Sequence, residues 1–312
     1  MLKLSAHIGY LFTEQPLVDR FLAARDAGFV SVDLSDVVRY PLAEILEGMR
    51  RSGLPFRQTT AAALPVDRGG PGLTALPGRE AEFRAACAAV LNYFEGTGLR
   101  WVHLPSGAPS PEIPFARSYA TYLDNLRRAL ELFEPHGVGV LIEPINRVDI
   151  PGYFLDLPLA RRVVAEIDNP NLRILFDVYH VAMEGFDPAQ LLRESRTDIG
   201  HVQIADAPGR HEPGTGNINF AAVVSALAEI GYDDCIAAEY LPAGCRISTR
   251  RPDRERTGLD EGAAGSAVMR NTKPKGSKQR RRTSHRLVPT SRLRAAIKGA
   301  VIRRCSVRRT WW

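Results

Sequence analysis

Apolar residues in this chain gather into short runs separated by segments of helical periodicity. Four of the runs carry a polar residue at or near their ends: Val138-Gly-Val-Leu-Ile-Glu143-Pro, Leu172-Arg-Ile-Leu-Phe-Asp177, Ile199-Gly-His-Val-Gln203-Ile-Ala-Asp206 and Cys235-Ile-Ala-Ala-Glu239-Tyr. Short apolar runs of this kind read as buried parallel strands. Steps of 34, 26 and 36 residues separate Glu143, Asp177, Gln203 and Glu239, and each interval holds a helix-like pattern. That is the rhythm of consecutive strand–helix units whose strands deliver their last residues to one rim.

The same rhythm extends back to the first residues. A strand is predicted at residues 3–11, then a helix at 16–27 with Leu17, Phe21, Leu22 and Ala24 at helical spacing and Gly28 closing it. Strands follow at 29–34, 54–60 and 100–104, with helices at 41–51, 79–95 and 116–136. Residues 61–78, rich in Gly and Pro, read as a long loop of the kind that serves as a lid or binding loop. Later helices are predicted at 158–167, 187–194 and 220–230, the last two with Asp187 and Asn219 as N-caps. Eight strands and seven helices are in place by Tyr240, which predicts a TIM (β/α)8 barrel lacking its last helix.

Charge changes the picture beyond that point. The net charge of +6 conceals a division: residues 1–245 carry 21 Lys+Arg against 31 Asp+Glu, and residues 246–312 carry 20 against 4. We therefore divide the chain into a barrel at residues 1–244 and a basic tail at 245–312, mostly disordered by composition. Within the tail, only residues 291–304 have the spacing of a short basic amphipathic helix. Its abrupt onset and Arg-rich text also match out-of-frame translation of a high-GC gene. Cys87, Cys235, Cys245 and Cys305 show no C-x-x-C spacing, as expected of reduced thiols in a cytosolic protein. No apolar stretch is long enough to span a bilayer, and the opening residues lack the pattern of a signal peptide. The expected location is cytoplasmic, with no membrane partner.

A rim receiving three carboxylates and one amide oxygen is a poor place for unpaired charge and a good place for a divalent cation. All-oxygen ligation by Glu143, Asp177, Gln203 and Glu239 favours Mg²⁺ or Mn²⁺ over zinc. The plainer alternative for each carboxylate is a surface pair with a neighbouring Lys or Arg. His180, three residues after Asp177, and Arg210, seven after Gln203, are candidates for binding a substrate carboxylate or its neighbouring oxygens. Otherwise they are a helix-capping His and an Arg in a surface ion pair. His211 and Glu212 follow directly and would orient the ligands from behind. His7 and His103 fall near the ends of strands 1 and 4, where each either lines the pocket or sits satisfied in the core. Asp206 has either a supporting role at the site or a loop-capping one, and the turn containing Gly214 and Gly216 reads as structural.

The stretches Leu141-Ile-Glu-Pro-Ile-Asn146, Asp149-Ile-Pro-Gly-Tyr-Phe-Leu155, Phe176-Asp-Val-Tyr-His180 and His201-Val-Gln-Ile-Ala-Asp-Ala-Pro-Gly-Arg-His-Glu-Pro-Gly-Thr-Gly216 resemble the hydroxypyruvate isomerase family of xylose-isomerase-like barrels. Ala75-Leu-Pro-Gly-Arg-Glu80, Ile230-Gly-Tyr-Asp-Asp and Glu239-Tyr-Leu-Pro extend the likeness over roughly residues 1–244. The resemblance implies that Glu143, Asp177, Gln203 and Glu239 hold a divalent metal and that Glu143 and Glu239 are the acid/base pair. It implies an aldose–ketose isomerase interconverting hydroxypyruvate and 2-hydroxy-3-oxopropanoate (tartronate semialdehyde) through an enediolate. A 2-oxo-tetronate isomerase is the near alternative, and a sugar 3-epimerase would more usually carry His in place of Gln203. Asn217, Arg147, residues 58–72 and the missing last helix depart from the family pattern. The implied partner is a small hydroxy-oxo acid, and a homo-oligomer is allowed. Nucleic-acid binding through the basic tail, or an inactive barrel, are the readings from other classes.

Overall fold

The computed structural model describes residues 2–64 and 71–243. Eight strands form a closed barrel in sequence order: β1 (Leu4–His7), β2 (Ser31–Asp33), β3 (Phe56–Thr60), β4 (Trp101–His103), β5 (Gly139–Ile142), β6 (Leu172–Asp177), β7 (Ile199–Ile204) and β8 (Ile236–Ala238). Every neighbouring pair is parallel, and β1 closes on β8 with Ser5 opposite Ala237. Parallel neighbours need a crossover, and the helices supply it. They are α1 (Leu17–Asp26), α2 (Leu42–Ser52), α3 (Glu80–Val90), α4 (Phe115–Phe133), α5 (Leu157–Ile167), α6 (Val178–Met183), α7 (Pro188–Glu194) and α8 (Phe220–Glu229).

The two-residue period of each strand separates two environments. Val32, Val102, Val140, Ile142, Ile174, Phe176, Val202, Ile204 and Ile236 belong to the main core. That core also takes Phe21, Ile45, Phe83, Leu126, Phe133, Val163 and Leu227 from the surrounding helices. Alternate strand positions Trp101, Leu141 and Leu175 form a separate apolar cluster. The other alternate positions include the buried polar residues His7, His103, Asp177, His201 and Gln203.

Local signals explain the helix boundaries. Asp187 and Asn219 accept the Ala189 and Ala222 N–H groups at 2.9 and 3.2 Å, as the caps predicted from sequence. Asp156 caps α5 in the same way, through the Leu159 N–H at 2.9 Å. Gly28, with φ of 91°, turns the chain immediately after α1, where a side chain would be strained. Helix α6 was not expected from sequence. It is a single six-residue turn starting at Val178, capped by Asp177, which accepts the Tyr179 N–H at 2.9 Å.

The second half of the predicted 61–78 loop is built into the structure. Leu73, Thr74 and Ala75 are buried, and Thr74 Oγ1 donates to the Pro105 carbonyl at 2.8 Å. Among the described residues no helix follows β8, and none is long and apolar enough to cross a membrane. The 244/245 boundary, the disorder expected beyond it and the helix expected at 291–304 all fall outside the described residues. Cys87 and Cys235 are buried free thiols.

Candidate active site at the barrel rim

The parallel strands bring the polar residues predicted from sequence to one end of the barrel. Glu143 stands one residue beyond β5 and Glu239 one beyond β8, while Asp177 ends β6 and is paired in register with Gln203 of β7. All four are withdrawn from solvent, at 5% exposure for Glu143, 2% for Asp177, 2% for Gln203 and 7% for Glu239. A surface ion pair therefore does not describe any of the three carboxylates. His180, carried by α6, places Nε2 at 3.6 Å from both Glu143 Oε1 and Asp177 Oδ2. His7 Nε2 lies 3.5 Å from Glu239 Oε1, and His103 Nε2 lies 3.5 Å from Glu143 Oε2. Both histidines thus face the rim, each beside one of the two glutamates.

Arg210 supplies the compensating charge. Its Nη2 donates to Glu239 Oε2 at 2.8 Å and to Asp177 Oδ2 at 3.2 Å. The guanidinium is sandwiched between Tyr10 and Tyr179, with ring centroids 5.2 and 5.1 Å away. Its backbone sits in the left-handed region at φ of 54°, a conformation that is costly for a side chain this size. The surrounding loop over-determines that geometry. Asp206 accepts the N–H groups of Ala207, Gly214 and Ile218 at 2.9, 2.7 and 3.1 Å, so it organises the loop. Gly216 packs so closely that an added Cβ would stand 2.2 Å from the Ala207 carbonyl oxygen.

His211 and Glu212 fasten this loop to the chain leaving β8. His211 Nδ1 donates to the Leu241 carbonyl at 2.6 Å, and Glu212 Oε2 accepts the Ala243 N–H at 2.9 Å. Their described partners are backbone groups near Glu239 rather than rim side chains.

Crowding buried carboxylates sets their protonation. Burial, with the nearby charges of Glu239 and Asp177, pushes Glu143 well above the usual carboxylate range against the pull of Arg210. Burial raises Asp177 to about 7, with Arg210 opposing and Glu239 assisting. His103 is driven down to about 3 by burial and by His7. His180 is lowered well below its ordinary value by burial first, then by Arg210 and His103. Burial works against the charge of Arg210, but Glu239 and Asp177 outweigh it and hold the guanidinium protonated.

Among the described residues, two oxygens in this cluster have no hydrogen-bond donor: Glu143 Oε1 and Gln203 Oε1 are buried and unpartnered. Buried acceptors without donors are costly. Aimed at one rim together with Asp177, they form a hard oxygen donor set of the kind a divalent cation takes. Glu143, Asp177 and His180 also lie close enough to hold a metal ion together. The residues present therefore fit such a cation. Glu239 stands outside that three-residue group and is linked to Asp177 through Arg210.

Sequence reasoning missed Tyr10 and Tyr179 as the walls around Arg210, and it missed Asn146, whose amide nitrogen lies 2.7 Å from His180 Nδ1. Asn146 is three residues past Glu143, and that adjacency was the one available signal. A separate cavity of about 300 Å³ lies between the loop after β5 and helices α5 to α7. Of the rim side chains it touches His180 alone.

Comparison with known proteins agrees with the barrel fold. A family model described as xylose isomerase-like TIM barrel matches residues 21–264. The chain belongs to the xylose isomerase-like TIM barrel family. Within this family it is 36% identical over 243 residues to a 2-oxo-tetronate isomerase of Cupriavidus necator, covering 78% of this chain and 94% of that protein. It is 32% identical over 244 residues to a hydroxypyruvate isomerase of Escherichia coli, covering 78% and 94%. A crystal structure of a protein described as AP endonuclease, family 2, from Brucella melitensis superposes with a TM-score of 0.74 at 30% identity, covering 78% and 95%. A D-allulose 3-epimerase of Methylomonas sp. shares the barrel fold, with a TM-score of 0.64 at 18% identity over 78% of this chain and 85% of that one.

Proposed function

We propose that this chain is an aldose–ketose isomerase for short 2-oxo-3-hydroxy acids, interconverting hydroxypyruvate and 2-hydroxy-3-oxopropanoate. The observation that carries the reading is the union, on one rim, of two buried glutamates, an oxygen-rich cation site and a single tethered guanidinium. The names of the relatives support it. A second reading, 2-oxo-tetronate as the substrate, is favoured by the 36% identity to the Cupriavidus necator relative. Both acids present the same reacting unit, a carbonyl at C2 beside a hydroxyl-bearing C3.

The reaction moves a proton from C3 to C2 through an enediolate. Glu143 and Glu239 are the proposed acid/base pair: one carboxylate removes the carbon-bound proton and the other returns one to the adjacent carbon. Glu143, Asp177, Gln203 and Glu239 are the proposed ligands of a Mg²⁺ or Mn²⁺ ion. Once bound, such a cation supplies positive charge where negative charge builds up on the substrate oxygens. Arg210 is proposed to hold the substrate carboxylate. Its Nε is buried without a partner among the described residues, a donor available for that role. His180 would donate to an oxygen of the reacting unit. Burial of the whole set keeps bulk water from the intermediate.

Side-by-side turnover of hydroxypyruvate, 2-oxo-tetronate and a neutral ketohexose tests the assignment. The acids are expected to dominate, and a clear preference for the neutral sugar would overturn it. Chelation is expected to lower turnover, with Mg²⁺ or Mn²⁺ restoring it better than Zn²⁺.

A further inference from the structure

His180 stands in two roles at once, close enough to Glu143 and Asp177 to share a metal ion and placed to donate a hydrogen bond into the rim. The hydrogen bonds behind it separate these roles. Asn146 is fully buried, and its Oδ1 accepts the Asp149 backbone N–H at 2.7 Å. A backbone N–H cannot face an amide NH2, so this bond fixes which end of the Asn146 amide is oxygen and which is nitrogen. The same orientation points Nδ2 at Asp149 Oδ2, 2.9 Å away, and a carboxylate oxygen is the acceptor such a donor needs. Tyr179 OH donates to that same oxygen at 2.8 Å and holds Asp149 in place.

With the amide fixed by two independent contacts, its NH2 also faces His180 Nδ1 at 2.7 Å. Nδ1 must then present a lone pair, because a proton there would oppose a second donor. That excludes both the imidazolium and the tautomer protonated on Nδ1. The single ring proton sits on Nε2, the atom 3.6 Å from Glu143 Oε1 and from Asp177 Oδ2. A nitrogen that carries a proton cannot ligate a cation.

We propose that Asn146 is a positioning residue that locks His180 in its Nε2–H tautomer, so that the ring donates a hydrogen bond into the rim and is withheld from metal ligation. What the donor serves, an oxygen of the substrate, rests on the isomerase reading above. The lock itself does not. Its consequence is a cation site left to oxygen ligands, although an imidazole lies within reach and would favour zinc.

The direct test is nitrogen-15 NMR of histidine-labelled, metal-free protein at neutral pH, with the His180 signals assigned by their loss in His180→Gln. A protonated Nε2 beside an unprotonated Nδ1 is expected. A proton on Nδ1, or on both nitrogens, would overturn the proposal. Asn146→Ala removes the lock, so the variant is expected to show His180 in mixed tautomers. It should also bind Zn²⁺ about tenfold more tightly, the scale on which groups behind a ligand tune metal affinity. Adding His180→Gln to that variant should abolish the gain. An Asn146→Ala protein that folds, as judged by circular dichroism, and keeps the pure Nε2–H tautomer would remove Asn146 from this role. If the variant does not fold, the wild-type spectrum decides alone. None of these readouts uses turnover, so a protein inactive on every acid tested would still confirm or refute the lock.

Discussion

Two sets of charged groups occupy the same barrel and are treated in opposite ways. Below the rim, buried Asp33 and half-buried Asp234 have partners of their own. Asp33 takes Ser5 Oγ at 2.9 Å on one oxygen and His201 Nε2 at 2.8 Å on the other. Near the start of β8, Asp234 takes Arg57 Nη2 at 2.7 Å and the Cys235 N–H at 2.7 Å. At the rim, two of the three carboxylates share one guanidinium, histidines stand off at 3.5 to 3.6 Å, and two oxygens have no donor among the described residues. Satisfied buried groups hold a fold together, whereas unsatisfied ones persist when something else requires them. On the proposed reading, the partnered charges serve stability and the rim serves chemistry.

Substitutions that remove charge without changing shape should separate the two sets most sharply. Glu143→Gln and Glu239→Gln are each expected to lower kcat by ~10²–10⁴, the usual worth of a positioned acid or base. The melting temperature should hold or rise in Glu143→Gln, because the folded state no longer buries a carboxyl whose ionisation it opposes. A lower melting temperature with normal turnover would move that glutamate into the structural class. Asp33→Ala should do the reverse. Leaving His201 and Ser5 buried without their partner is expected to destabilise the fold by about 3–5 kcal/mol, as for other broken buried pairs. Turnover per folded molecule should change only a few-fold, measured after correcting for the folded fraction by chemical denaturation.

A smaller effect follows from Asp177. Its pKa rises on folding from the ordinary 3.8 to about 7, so the folded state retains a proton that the unfolded state has released across that window. Metal-free protein should therefore lose stability as pH rises from 3.8 towards about 7, and Asp177→Asn should flatten that slope. Melting curves of both proteins across this range give the comparison. Parallel slopes would place the burden on other groups.

The contrast between layers was only partly legible in the sequence. The rim residues announced themselves because each closes an apolar run, and strand alternation carries that position to the barrel interior. The caps at Asp187 and Asn219 were legible for the same local reason. Helix α6 was not, since six residues give too few turns for a periodic signal and its cap, Asp177, already counted as a strand end. The link from Arg210 to Asp177 and Glu239 joins residues 33 and 29 positions apart through folding alone. The burial of Thr74 beneath the loop after β4 was hidden in the same way, because Gly and Pro composition reports a loop without saying what it packs against.

The rim's assignment to proton transfer can be measured at the atom that moves. Hydroxypyruvate incubated with the protein in deuterium oxide should exchange its C3 hydrogens for deuterium faster than in a protein-free control, followed by proton NMR. The 2-hydroxy-3-oxopropanoate that forms should carry deuterium at C2, and Glu239→Gln should fall back towards the control rate. Isomerisation without any solvent deuterium at C2, or exchange unaffected by changing both Glu143 and Glu239, would contradict the account.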